Sequence, residues 1–234
     1  MKKTAILMLG FVLVMSQSCQ QKKTKDNQIN VESVKNEVEA NPNKMIFDHL
    51  DQILSPFEDM TEFALNQDEE GVLKSLAKIE TATKESVFAN NLTSESLSGL
   101  NPKIEALKTF IKEKNYTQTA LVSTEIFKYN VTNFADAKKI ENQIRIEHLD
   151  YLGFKVLALL SQDNIDWSTI ERTIINAQQE WRVLEINVTD INLKDSFNFL
   201  FKGLYLSAKN HDIEMGEILA AMDLSLVDVL ENNF

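Results

Sequence analysis

The chain has 234 residues, with 24 basic and 35 acidic side chains, a formal net charge of −11, 44% hydrophobic residues and one cysteine. A chain this acidic has no general attraction for nucleic acid or anionic lipid headgroups, and a lone cysteine excludes an internal disulfide framework. Six glycines and three prolines are too few for a turn-rich β fold.

Met1-Lys2-Lys3 precedes an apolar run from Ala5 to Met15. Positive charge followed by a short apolar core has the form of a secretory signal, well short of the roughly 20 residues that a membrane-spanning helix needs. Ser16-Gln17-Ser18-Cys19 closes the run. This stretch resembles the lipobox of bacterial lipoproteins, although that family prefers an aliphatic residue where Ser16 stands and a smaller one than Gln17. The resemblance implies cleavage before Cys19, a diacylglyceryl group on the Cys19 thiol and acylation of its new amine. Residues 1–18 are then a signal peptide, the partner of Cys19 is a lipid bilayer, and the location is the bacterial cell envelope, facing the periplasm or the exterior. Plain secretion with Cys19 as a free thiol is the alternative. Removing residues 1–18 takes away Lys2 and Lys3 and no acid, leaving 22 basic against 35 acidic side chains, or −13.

Residues 19–43 are polar and end in the turn signal Asn41-Pro42-Asn43, which reads as a flexible tether. From Met45 the apolar period is helical. Ile46, Leu50, Ile53, Phe57 and Met60 recur at steps of three and four, as do Leu149, Leu152, Val156 and Leu159. Further stripes are Trp167, Ile170, Ile174, Ala177, Trp181 and Leu184; Leu193, Phe197, Leu200 and Leu204; and Met215, Leu219, Met222, Leu226 and Val229. Each winds one apolar face along a helix, so the fold class is all-α.

Asp68, Asn164 or Asp166, Thr189 or Asp190, and Asp212 are placed to cap helices. Asn101-Pro102 reads as a cap followed by a first-turn proline, and Pro56 falls inside the first helix. Sequence echoes recur about 95–99 residues apart: His49-Leu50-Asp51 with His148-Leu149-Asp150, Leu65–Asp68 with Leu160–Asp163, Asn91–Thr93 with Asn187–Thr189, and Lys114–Tyr116 with Lys209–His211. They predict an up-down helical bundle built as two tandem four-helix units, 44–133 and 134–234.

Chemistry is sparse. The glycines are isolated, so no glycine-rich loop cradles a phosphate, and neither His-Glu-x-x-His nor Gly-x-Ser-x-Gly occurs. No catalytic residue stands out, and no cofactor is predicted. Each histidine has acids nearby, but adjacent helical residues diverge while those three or four apart share a face. His211 and Glu214 can therefore converge, whereas His49 points away from Asp48 and Asp51. His148, flanked by Ile144 and Leu152, reads as a boundary residue. Met45 with His49 and His211 with Met215 are the pairs a haem or metal would use between helices, although both methionines also fit core stripes. Glu-x-x-His is absent, since Ile46, Arg145 and Ala208 stand three before the histidines. Carboxylate pairs in so acidic a chain read as solvated faces.

The two-bundle outline of a secreted lipoprotein resembles the imelysin-like proteins associated with iron uptake. Their Gly-x-His-x-x-Glu motif is missing here, because Phe47, Ile146 and Lys209 stand two before the histidines, so the resemblance carries no site residue. The sequence thus points to a non-enzymatic, membrane-tethered helical bundle that binds an unidentified protein or small molecule. The alternative is a metal- or haem-binding bundle using His49, His148, His211, Glu214, Met45 or Met215.

Overall fold

Asp, Asn and Thr side chains set where the helices begin. In the computed structural model, which describes residues 42–232 and 234, Asp68 Oδ1 accepts from the Gly71 N–H, Asn115 Oδ1 from Gln118, Asp166 Oδ1 from Thr169 and Asp212 Oδ1 from Met215. Each bond satisfies a donor that the first helical turn leaves open. The long helices are α1 (Pro42–Leu65), α2 (Glu69–Ala82), α4 (Ser94–Lys112), α5 (Tyr116–Thr132), α6 (Glu141–Leu160), α7 (Trp167–Leu184), α8 (Ile191–Asn210) and α9 (Ile213–Glu231). A six-residue α3 (Ser86–Asn91) and one 3-10 turn (Ala137–Lys139) complete the order. The described residues form an all-α bundle with no strand; one isolated bridge joins Leu92 to Phe134. No helix among them is long and apolar enough to cross a membrane. Cys19, the signal segment and nearly all of the tether lie outside the described residues.

Three connections share one device. Gln67, Lys114 and His211 adopt left-handed φ values of 55°, 54° and 56° at the ends of α1, α4 and α8. The following N–H reaches back five residues in each: Asp68 to the Phe63 carbonyl, Asn115 to Phe110 and Asp212 to Ser207. That closes the helix in a Schellman arrangement, and the same Asp or Asn then caps the next helix, so successive helices reverse sharply.

The order α1-α2-α4-α5 is matched by α6-α7-α8-α9. In each set the first helix packs on both the second and the last. The caps of matched helices, Asp68 and Asp166, Thr93 and Asp190, Asn115 and Asp212, stand 98, 97 and 97 residues apart. The alignment is thus one to three residues longer than three of the four sequence echoes imply. The described residues form one compact unit. Its core runs from Leu50 through Phe57, Phe127 and Leu152 to Trp181, Phe197 and Leu230, with α5 and α6 packed across the junction between the halves.

Two readings are corrected. Asn101 and Pro102 lie inside α4, which begins eight residues before Pro102 at Ser94, where Thr93 Oγ1 accepts from the Ser96 N–H. A hydroxyl cap with Glu95 in the first turn outcompetes the proline signal. The buried stripe of α9 is Gly216, Ala220, Asp223, Val227 and Leu230, while Met215, Met222 and Val229 are exposed. Methionine therefore does not line the core here. α9 is apolar around most of its circumference, so periodicity does not select its inner face; its small residues do. At Gly153 of α6 an added Cβ would lie 2.6 Å from Leu224 Cδ2 and 3.1 Å from the Ala220 carbonyl oxygen, so α6 and α9 meet nearly backbone to backbone.

Candidate metal centre

That close approach brings carboxylates together. On α6, Glu147 and Asp150 are one turn apart and share a face. On α1, Glu58 faces them, and one carboxylate oxygen from each of Glu58, Glu147 and Asp150 lies within 4.8 Å of the others. Glu147 is buried, while Glu58 and Asp150 are half-buried. From α9, the charge of Asp223 acts on Asp150. Asp223 is 0% exposed, and neither carboxylate oxygen has a hydrogen-bond partner. Glu231, Asp228 and Asp51 extend the negative field toward one end of the bundle.

The electrostatics follow from burial without counter-charge. Glu147 is held well above the usual carboxylate range, first by burial and then by Glu58, Asp150, Glu231 and Asp51. Burial also raises Glu58, with Asp150, Asp51, Glu231 and Asp59 adding to it. Asp150 is raised by burial and then by Asp223, Glu231 and Asp228. Asp223 is raised by burial, against which the backbone N–H of Gly153 pulls the other way. The leading side-chain charges acting on Glu58, Glu147 and Asp150 are all carboxylates. The cations of α6 are engaged elsewhere: Lys155 Nζ donates to Glu125 Oε1 at 2.6 Å, and Arg145 pairs with Glu180 on α7. Buried carboxylates without a cation must be protonated or hold a metal ion. All-oxygen sites of this kind suit hard divalent ions such as Ca²⁺, Mg²⁺ or Mn²⁺.

The histidine and methionine candidates are not brought together. His49 is half-buried on α1, at a surface hollow with Met45, Asn91 and Asp136, and Met45 is 55% exposed. His148 turns to α7, with Nδ1 3.7 Å from Glu180 Oε1 and Nε2 buried without a partner. Burial lowers its pKa, partly offset by Glu180. His211 caps α8 and stacks on Trp167 with ring centroids 4.9 Å apart, while Glu214 and Met215 stand exposed at the start of α9. Among the described residues, the converging ligand group contains no histidine.

Glu147 and Asp150 stand either side of His148 in the chain, and their shared spacing was visible there. Their partners on α1 and α9 were not, because only the tertiary packing chooses them. The one local signal was an acid, Asp223, on the small-residue stripe Gly216–Ala220.

Fold and site together define an all-α bundle with a carboxylate-lined interior. Compared with protein-family models, curated proteins and solved structures, the chain matches none.

Proposed function

We propose that this chain is a non-enzymatic, lipid-tethered helical bundle of the bacterial cell envelope that binds a hard divalent cation between α1, α6 and α9. The observation that carries the reading is the convergence of Glu58, Glu147 and Asp150 within 4.8 Å, together with the fully buried Asp223, whose carboxylate oxygens find no hydrogen-bond partner and whose charge acts on Asp150. Carboxylate convergence alone is common on acidic surfaces. A buried aspartate with both oxygens unsatisfied is not, because leaving such a group unpaired costs several kcal/mol. The cation replaces the missing counter-charge and joins three helices, so binding stabilises the fold. This reading moves the metal alternative from the histidines and methionines to the carboxylates. The tether rests on the lipobox resemblance at Cys19.

The test uses a chain beginning at Gln20, which retains every core residue. Isothermal titration with Ca²⁺, Mg²⁺ and Mn²⁺, together with thermal melting, is expected to show one saturable site that raises Tm. The site is lost in Glu147→Gln and Asp150→Asn. If none of these ions binds or shifts the melt, the cation reading fails.

A further inference from the structure

The α8–α9 hairpin presents an apolar face to solvent. Phe199 on α8 is 72% exposed and Leu206 49%; on α9, Met215, Ile218 and Met222 are 44%, 55% and 45% exposed. These residues are contiguous. The two helices run antiparallel with Gly203 against Leu219 and Gly216 against Ser207; an added Cβ would lie 2.8 Å from Leu219 Cδ1 at Gly203 and 2.9 Å from Ser207 Oγ at Gly216. Phe199 and Leu206 lie one turn either side of Gly203, and Met215 and Met222 one turn either side of Leu219. The small residues at the seam draw the helices together, so the large side chains beside them are displaced outward onto one surface.

The five side chains leave roughly 500 Å² of apolar surface open, near the upper end of what a monomer exposes in one patch. With its polar rim, the face approaches the roughly 800 Å² per partner of a standard interface. The rim is asymmetric in charge. α8 contributes Lys202 and Lys209, the latter also paired with Glu171 of α7 at 2.7 Å, with Asp195 as the one acid of α8, whereas α9 contributes Glu214, Glu217 and Asp228 and contains no basic residue.

We propose that this face joins two copies of the chain in a twofold dimer, α8 of each lying on α9 of the other. A twofold axis along the seam makes the patch self-complementary. It keeps every residue at its own height along the hairpin, so the lysine side of one copy meets the acidic side of the other. The α9 acids disfavour an anionic membrane or an acidic partner as the occupant.

The chain beginning at Gln20 has no cysteine, which makes it a clean background for the test. Sedimentation at about 100 μM, a concentration that populates a complex of micromolar affinity, is expected to give twice the chain mass. Phe199→Glu and Met222→Glu are each expected to give monomers with unchanged helical circular dichroism. Met222→Cys is expected to form a disulfide-linked dimer under mild oxidation, while the exposed Ser168→Cys on α7 stays monomeric under the same oxidant. A dimer that persists in both glutamate variants overturns the proposal, as does a wild-type monomer. If that monomer floats with neutral phosphatidylcholine vesicles, the face belongs to lipid. Dimerisation only after residues 20–41 are removed assigns it to that segment instead.

Discussion

Asp223 on α9 is the charge that raises Asp150 on α6 the most, ahead of Glu231 and Asp228. Two acids in this position weaken the empty protein, since each raises the cost of ionising the other in a low-dielectric interior. Both residues sit on helices that approach closely at Gly153, where an added Cβ would lie 3.1 Å from the Ala220 carbonyl oxygen, and not on a flexible loop. The fold therefore holds the carboxylates in place before any ligand arrives.

Asp223→Asn separates the cost of the charge from its use. In chelator at pH 7 the substitution is expected to raise stability by about 1–3 kcal/mol, because it removes an unpaired buried acid while keeping its shape. In saturating Ca²⁺ the advantage shrinks or reverses, since the variant has lost a nearby anion that favours the ion. Urea unfolding in the two buffers measures both values. A variant less stable than wild type in chelator would mean that Asp223 already has a partner, and the site would have to be redrawn.

The raised carboxyls also fix the direction of pH dependence. Glu58, Glu147, Asp150 and Asp223 hold protons in the native state to higher pH than in the unfolded chain. Where the native state binds more protons, stability falls as pH rises. In chelator, their contribution is complete below the ordinary carboxylate range and is lost as pH rises through the folded values, by about 1.4 kcal/mol per pH unit for each extra proton held. Glu125, lowered overall by Lys155 and Tyr151 against burial, acts oppositely at the acid end, and His148, lowered by burial, acts oppositely near its own ordinary value. The difference between wild type and Glu147→Gln isolates the cluster. The variant is expected to lose less stability from pH 5 to 8 in chelator, and Ca²⁺ to flatten the wild-type curve. Equal slopes in the two proteins would remove the cluster from the account.

The helical class was legible because one apolar stripe per helix is a local property, and Leu50–Ile53–Phe57 or Ile170–Ile174–Ala177–Trp181 repeats at a period that only a helix places on one face. The caps at Asp68 and Asp212 were legible for the same reason, and those at Asp166 and Asp190 each as one of two neighbouring candidates, Asn164 or Asp166 and Thr189 or Asp190. α9 defeated the method. With Met215, Ile218, Leu219 and Met222 all apolar, both faces qualify as core, and the choice was made by how closely Gly216 and Ala220 let α9 approach its neighbours. The carboxylate cluster was hidden by the same property. Glu147 and Asp150 flank His148 in the chain, while Glu58, which converges with them, lies 89 residues before Glu147, and Asp223, whose charge acts on Asp150, lies 73 after Asp150. Composition made every acid look solvated, and only packing distinguishes the few that are not.

Cys19 supports its own prediction. Two or more acyl chains hold a protein firmly at a bilayer, whereas one binds reversibly. Cys19→Ala is expected to abolish incorporation of labelled fatty acid and leave residues 1–18 attached, as seen by mass spectrometry of the purified chain. If the variant is cleaved and released normally, the segment is an ordinary secretory signal and the tether is withdrawn.

Gly153→Ala tests whether the α6–α9 approach builds the site. A methyl group at Gly153 meets Leu224 Cδ2 at 2.6 Å and the Ala220 carbonyl oxygen at 3.1 Å. The leucine can rotate aside, but the carbonyl belongs to the helix, so α9 must shift outward. Overpacking of this kind costs about 1–3 kcal/mol. Because Asp223 lies on the shifted segment, between Ala220 and Leu224, Ca²⁺ affinity is expected to fall at least several-fold as well. Adding Leu224→Ala relieves the side-chain clash and not the carbonyl contact, so it is expected to restore part of the stability and little of the affinity. Calorimetric titration of both variants measures the split. If Gly153→Ala loses stability while binding Ca²⁺ as wild type does, the carboxylates do not depend on the α6–α9 spacing and Asp223 is not a member of the site.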